Sequence, residues 1–419
     1  MKILLLANYV PDGQESMQRF AALMEKGLTA AGHEVCVCRP TPRFGKKDGG
    51  SGKRKAGTGH ALNKWLGYVD KFLLFPSEFV AHIEWADVVH ICDHSNSMYA
   101  KYLQAKASVV TCHDLLAVRS ALGEIPQNPT SWTGRQLQRW ILRSLAKAQR
   151  VVCVSEATRI DVLRLTGLPE DRVSRSYNAL NYAYVPMSKE EAFTRLRTLC
   201  PTVGPQPFFL HIGGNQWYKN RLGVLRLFQS LRKKSGMHDF QLIMVGKPWA
   251  DEMRRFVAEF DLQNVTVELT AIGGEDLRAL YSLATMMLFP SLAEGFGWPI
   301  VEAQACGCPV VTSHRPPMSE VGGDAAIYVD PDEPESAAEK VAQAWPSLAS
   351  YREAGLRNAA RFAGNTMIDD YLALYETVIQ EHSQIIHSPQ ISSRFAASQP
   401  GQSSESKVEQ TSAATAGPQ

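Results

Sequence analysis

Glu294 and Glu302, separated by seven residues, sit inside the stretch SLAEGFGWPIVEAQACGCPVVTS from Ser291 to Ser313. The turn Gly295-Phe296-Gly297 opens an apolar helical pattern with Pro299 near its start, where a missing amide hydrogen costs little. Free backbone N–H groups at such a helix start point toward a bound anion, and glycines let a ligand approach the backbone closely. Glu294 precedes the helix and Glu302 lies about one turn inside it, so the two can grip different parts of one elongated ligand. Carboxylate oxygens accept strongly and hold vicinal hydroxyls by two-point contacts, which suits recognition of a polyol.

A second constellation, HIGGNQWYKNRLGVL from His211, ends a strand in Gly213-Gly214 and places Asn215, Lys219, Asn220 and Arg221 just before a helix. A compact cation and free amides converge there, which suits a diphosphate. In the first half of the chain, VVTCHD ends a strand at His113-Asp114. A histidine at a strand end can donate a hydrogen bond to a sugar or a departing phosphate, because it titrates near neutrality. His90 and His94 flank another strand end in VVHICDHSN; for His90, inside the strand, a buried structural role is the plainer reading.

These residues need a scaffold of strand ends. Short β-branched runs alternate with amphipathic helical patterns, the signature of parallel sheets covered on both faces. One series begins at Lys2, Glu34, Asp87, Ser108, Arg150 and Arg172; the other begins at Phe208, Gln241, Val265, Thr285, Pro309 and Ala325. Two Rossmann-like, doubly wound α/β domains follow, at 1–182 and 208–364, joined by a proline-rich connection over 183–207 that lacks a strand-like run. Met17, Phe20, Met24 and Leu28 share one face of the first helix, which Gly32 ends. A central cleft between the domains results, because ligands bind beyond the C-terminal ends of strands in open sheets.

The 419 residues carry 44 Lys+Arg against 42 Asp+Glu, so no global field holds this chain on nucleic acid. The first apolar run, Ile3 to Ala7, is too short for a signal-peptide core, and nothing approaches the ~20 apolar residues of a spanning helix. A cytoplasmic protein is expected. The eight cysteines form no CxxC pair, which predicts buried reduced thiols, and no metal site is expected. Residues 43–64 read as a mobile basic loop, with seven Lys/Arg against Asp48 alone, and 387–419 as a disordered tail. Leu62, Trp65, Leu66, Val69, Phe72 and Leu73 recur at helical spacing. The span 43–75 therefore suits either a core-facing helix or a peripheral contact with an anionic inner-membrane face.

The Glu-seven-Glu spacing, with its GFG turn and EAQACGCPVV, closely resembles the EX7E element of glycosyltransferase family 4 (glycosyl transferases group 1), whose fold is GT-B. The similarity extends through VSEATRIDVLRLTGLPEDRV and SYNALN to SEVGGDAAIYVDPDEPE, covering roughly 1–385. It implies a retaining, metal-independent glycosyltransferase that moves a hexose from a nucleotide diphosphate sugar, UDP- or GDP-linked, to a glycan or lipid-linked acceptor in cell-surface polysaccharide or glycolipid synthesis. Mannose is one such hexose. The resemblance needs no cofactor beyond the donor.

By that resemblance Glu294 contacts the donor sugar, Glu302 the ribose, and backbone amides of Phe296 and Gly297 the sugar or phosphate. Lys219 balances the leaving diphosphate, and His113 borders the sugar. Gly213, Gly214, Asn215, Asn220, Arg221 and Gly295 complete the donor side, while Asn8, His94 and Asp114 fall on the acceptor side. A helix over 365–386, with Tyr371, Leu374 and Tyr375, crosses back to brace the first domain. The chain departs from the family at the arginine often found before the lysine, where Gly214 and Tyr218 stand. It departs again in its first loop, which has Asn8, Asp12, Gly13 and Gln14 in place of a Gly-Gly pair. A nucleotide-sugar epimerase-like enzyme or an inactive nucleotide-sugar-binding protein would use many of the same contacts.

Overall fold

Strands buried on both faces read as unbroken apolar runs, and every run anticipated above forms a strand. The computed structural model describes residues 1–44, 65–200, 206–362 and 365–386. Its first sheet contains β1 (Lys2–Leu6), β2 (Glu34–Cys38), β3 (Val88–Ile91), β4 (Ala107–Cys112), β5 (Arg150–Cys153) and β6 (Val173–Arg175), in the order β2-β1-β3-β4-β5-β6. The second contains β7 (Phe208–Gly213), β8 (Gln241–Gly246), β9 (Thr266–Leu269), β10 (Met286–Phe289), β11 (Val310–Ser313) and β12 (Ala326–Val329), in the order β12-β11-β10-β7-β8-β9. All pairings are parallel.

Strand order reverses between β1 and β3 in one sheet and between β7 and β10 in the other. At such a reversal the connecting helices leave on opposite faces, and the loops after the two central strands part to form a crevice. Register keeps the rims level: Leu6 pairs with both Cys38 and Ile91, and Gly213 pairs with Gly246. Gly246 has φ +149°, and a Cβ there would lie 1.9 Å from the Gly213 carbonyl oxygen, so no larger residue fits.

The first helix, Glu15–Ala30, buries Phe20, Ala21, Met24 and Leu28 against the first sheet, while Met17 at its start is only half-buried. Between the sheets lies a helix, Lys189–Leu199, capped by the Ser188 hydroxyl accepting from Glu191 N–H. Its Ala192 packs with Met187 against Ala279, which attaches it to the second domain. The last helix, Thr366–Ile386, returns to the first. There the Tyr371 hydroxyl pairs with Thr111 Oγ1 at 2.7 Å, the Tyr375 hydroxyl with His90 Nδ1 at 2.7 Å, and Glu381 with Arg150. His90 Nε2 also meets Thr111 Oγ1 at 2.7 Å, so that histidine is a fully bonded structural residue.

No helix among the described residues is long and apolar enough to cross a membrane. The expected tail at 387–419 and residues 45–64 of the expected basic loop lie outside the described residues. The stripe that continues from Trp65 is helical, with Trp65 and Leu73 exposed and Leu66, Val69 and Phe72 half-buried. It contains a π-turn at Asp70–Leu74. Asp70 is buried there and accepts from the Tyr9 hydroxyl at 2.7 Å and from the Arg43 and Phe44 amides.

Candidate active site

The reversal between β7 and β10 brings two loops side by side. The loop after β7 supplies Lys219 and the loop after β10 supplies Glu294, and Lys219 Nζ donates to both carboxylate oxygens at 2.8 Å. Leu292 N–H bonds the Tyr218 carbonyl at 2.8 Å and fixes the loops to each other. The two side chains keep only 16% and 6% exposure, so water screens this ion pair weakly. Lys219 Nζ also lies 5.5 and 5.3 Å from the Tyr218 and Phe289 ring centroids, against aromatic faces that attract a cation.

Gly297, at φ +100°, caps the helix Trp298–Ala305, and Pro299 falls in its first turn. Glu302 is 3% exposed in that helix, with one oxygen accepting from Asn181 Nδ2 at 3.0 Å and the other from the Tyr281 hydroxyl at 2.8 Å. Burial pushes its carboxyl above the usual range, and those two donors pull in the opposite direction. Each carboxylate oxygen keeps a lone pair that could accept a further hydrogen bond. Asn181 closes the SYNALN segment, so Glu302 is tied to the connection between domains.

The 294–297 loop touches the first domain directly. A Cβ on Gly295 would stand 2.0 Å from the His113 carbonyl oxygen, so only glycine permits this approach. The Gly295 carbonyl accepts from Ser155 Oγ at 2.8 Å, and Ser155 also caps the helix Glu156–Thr166 by accepting from Thr158 N–H. At the same helix start, Glu320 of the second domain accepts from Glu156 N–H at 2.7 Å. A carboxylate at a helix N-terminus is favoured by the dipole, which makes this contact a charged fastening across the cleft.

His113 is 4% exposed, edge-on to Phe20, with Nε2 2.9 Å from the Cys92 carbonyl. A carbonyl only accepts, so Nε2 carries the proton and Nδ1 is the acceptor of the neutral ring. Burial lowers its pKa and favours that neutral form, although Asp93 and the Cys92 carbonyl act against the shift. The strand-end position suggests a donor toward sugar or phosphate, but with its N–H spent on the Cys92 carbonyl the neutral ring offers an acceptor instead. At the first domain's reversal, Asn8 Nδ2 donates to Asp93 Oδ2 and Gln14 Oε1, both at 2.5 Å. His94 Nδ1 lies 3.0 Å from Asp93 Oδ1. Burial opposes charge on His94, but Asp93 and Asp114 outweigh it and raise its pKa. Asp114 accepts from Leu116 N–H at 2.9 Å and so orders the turn after His113.

The remaining donor-side residues divide by role. Gly213 and Gly214 are half-buried beside Lys219 and Gln216. Asn220, at φ +50°, bonds the Pro290 and Pro331 carbonyls. Arg221 is 5% exposed, and its Nη1 holds the Lys247 carbonyl at 2.8 Å and Asn215 Oδ1. Its Nε and Nη2 are buried without a partner among the described residues. Arg221 and Asn215 thus tie the loops after β7 and β8 together from within. Phe296 is buried against Phe362 and Tyr177. Sequence reasoning passed over Ser155, Asn181, Tyr281 and Glu320; the Ser-x-x-Thr cap in VSEATR was the visible signal for the first.

Known proteins share the family matches and the architecture of this chain. A model described as Glycosyltransferase Family 4 matches residues 17–184, and one described as Glycosyl transferases group 1 matches 201–372. O-antigen chain mannosyltransferase B of Escherichia coli is 29% identical over 277 residues, covering 64% of this chain and 70% of that protein. O-antigen chain mannosyltransferase RfbU of Salmonella typhimurium is 26% identical over 211 residues, covering 50% and 54%. Anabaena HepE, solved in complex with UDP and glucose, superposes with a TM-score of 0.62 at 16% identity, covering 93% of this chain and all of the other. With a Glycosyltransferase Family 4 model matching its first half, a Glycosyl transferases group 1 model its second, and a two-sheet architecture shared with solved relatives, the chain is a glycosyltransferase of the GT-B fold.

Proposed function

We propose that this protein transfers a mannosyl or related hexosyl group, with retention of anomeric configuration, from a nucleotide diphosphate sugar to a glycan hydroxyl in surface-polysaccharide synthesis. The observation that carries the reading is the Lys219–Glu294 pair at the β7/β10 reversal, in a loop packed on His113. The mannosyl preference rests on the names of the two O-antigen relatives; the nucleotide diphosphate reading is supported by the UDP held by HepE.

In this mechanism the sugar C1–O bond to the diphosphate breaks while C1 bonds the acceptor oxygen on the same face. The acceptor proton passes to the leaving phosphate oxygen. Lys219 and the amides at the start of the helix Trp298–Ala305 offset the developing charge. Glu294, already held by Lys219, orients the sugar hydroxyls, and Glu302 anchors the ribose. On this reading charge balance comes from the protein, and transfer persists in a chelator.

A thermal-shift panel of GDP-, UDP- and ADP-sugars tests the donor class, since a ligand at 100 times its Kd adds roughly 2.7 kcal/mol of stability. GDP-mannose giving the largest shift fits the reading; no response to any nucleotide sugar would overturn it.

A peripheral membrane contact extends the proposal. The exposed helix Trp132–Leu145 carries Arg135, Arg139 and Arg143 on one face and has no acidic residue. Exposed Trp140 packs on Phe72, which stacks on Tyr68 beside exposed Trp65. Cations beside exposed tryptophans suit an anionic lipid surface. Flotation with anionic but not neutral liposomes is expected, and the protein staying in the soluble fraction with both would refute it.

A further inference from the structure

Six of the eight cysteines are buried, as expected of reduced core thiols, but Cys36 and Cys38 are not. They occupy β2, the edge strand of the first sheet, which is only half-buried for most of its length. Residues i and i+2 of a strand share a face, and their Sγ atoms lie 4.0 Å apart. The helix Phe75–Ile83 crosses this face and sets exposed His82 with Nδ1 4.0 Å from Cys36 Sγ. All three donor atoms lie within 4.8 Å of one another.

These separations match a coordination shell more closely than a bond between the groups. A disulfide needs its sulfurs about 2.05 Å apart. Two thiolates and an imidazole around one tetrahedral zinc, at about 2.3 and 2.0–2.1 Å from the metal, stand roughly 3.6–3.8 Å from each other. Movements of a few tenths of an ångström for the 4.0 Å pairs, and somewhat more for the widest one, would let the three share an ion. We propose that Cys36, Cys38 and His82 form a binding site for a thiophilic cation of the Zn²⁺ class, with its fourth position open to water.

A carboxylate stands beside the three donors. Glu78, one turn before His82 on the same helix, adds a carboxylate that Arg43 and Thr41 hold at 2.8 and 3.5 Å. Binding replaces the two thiol protons, which leave to solvent, with one dication that both sulfurs share. Soft thiolate donors with one imidazole select zinc over magnesium or calcium. The site lies on the outer strand of the first sheet and shares no residue with the Lys219–Glu294 pair, so it stands or falls independently of the proposed activity.

The test is Co²⁺ titration of the reduced full chain under anaerobic conditions, followed by Zn²⁺ displacement. The expected result is one metal per chain with a thiolate-to-cobalt charge-transfer band that zinc abolishes, and a higher unfolding temperature with zinc. Cys36→Ser/Cys38→Ser should lose the band and the zinc-dependent rise. His82→Ala should weaken binding by at least the about 10–100-fold that even an outer-shell loss costs. The unfolding temperature without metal reports whether each variant is folded. A wild-type protein with no thiolate band, or a Cys36→Ser/Cys38→Ser variant that keeps it, would overturn the site.

Discussion

The two strand-order reversals are built alike and furnished differently. At β7/β10 a cation and a carboxylate meet directly, held by a backbone bond between their loops and by Arg221 beneath. At β1/β3 the corresponding place holds a neutral amide, Asn8, bonded to Asp93, which also lies against His94. One crevice presents an ammonium and helix-start amides suited to a diphosphate; the other presents hydroxyl-recognising groups, with His94 paired to Asp93 in place of a lysine. On the proposed function one topology would serve two substrates, with the fold fixing where the crevice opens and side-chain charge deciding what enters it.

Breaking the charged side should cost most. Lys219→Ala removes the cation opposite the leaving group and is expected to lower transfer by about 10²–10³-fold, with a weakened donor response in initial rates at varied nucleotide sugar. An equal loss in His94→Gln with no change in donor KM would erase the proposed asymmetry. Gly295→Ala comes next. Its Cβ cannot lie 2.0 Å from the His113 carbonyl, so the crevices must part, and displacements of about 1 Å cost about 10²-fold. Transfer at the wild-type rate in this variant would show that the contact is dispensable.

Tyr281→Phe sharpens the comparison through stability. It leaves one oxygen of buried Glu302 without its donor, at a cost of about 1–3 kcal/mol, read as a drop in unfolding temperature that saturating nucleotide should partly restore.

Acid sensitivity tests the buried histidines of both sheets. Burial lowers His90 and His211 from 6.5 to about 3, with His113 and the Arg221 and Lys219 cations adding to the respective shifts. Their unfolded forms take up protons first, so the stability they contribute is full above pH 6.5 and declines as pH falls toward 3. His94, with a raised pKa, has the opposite sign: its contribution is full below 6.5 and is lost as pH rises through its folded value. Unfolding temperature should therefore fall between about pH 7 and about pH 5, and a rise over that window would contradict the burial of the first pair.

Much of the scaffold was legible because fully buried strands leave unbroken apolar runs, as in KILLL and QLIMVG. The Glu294 loop was legible because turn glycines, an early helical proline and two spaced carboxylates form a local pattern. Long-range partners leave no such pattern. Nothing near Glu302 points to Asn181, and nothing near Glu156 points to Glu320. The His113 tautomer depends on where the Cys92 carbonyl lies, and the half-exposure of Cys36 and Cys38 depends on β2 standing at an edge. Arg221 reads from the sequence as a donor-side cation, but it is buried because the β7 and β8 loops close over it, and its Nη1 is spent on Asn215 and the Lys247 carbonyl.

The most direct test of the central claim pairs two measurements on purified Glu294→Ala: transfer from GDP-mannose and UDP-hexoses, and calorimetric binding of the matching nucleoside diphosphate. If Glu294 orients the sugar while Glu302 and Lys219 hold the nucleotide, transfer should fall by about 10²-fold or more while the Kd for the nucleoside diphosphate stays within about tenfold, about 1.4 kcal/mol. Wild-type transfer rates in this variant would contradict the assignment of the donor site.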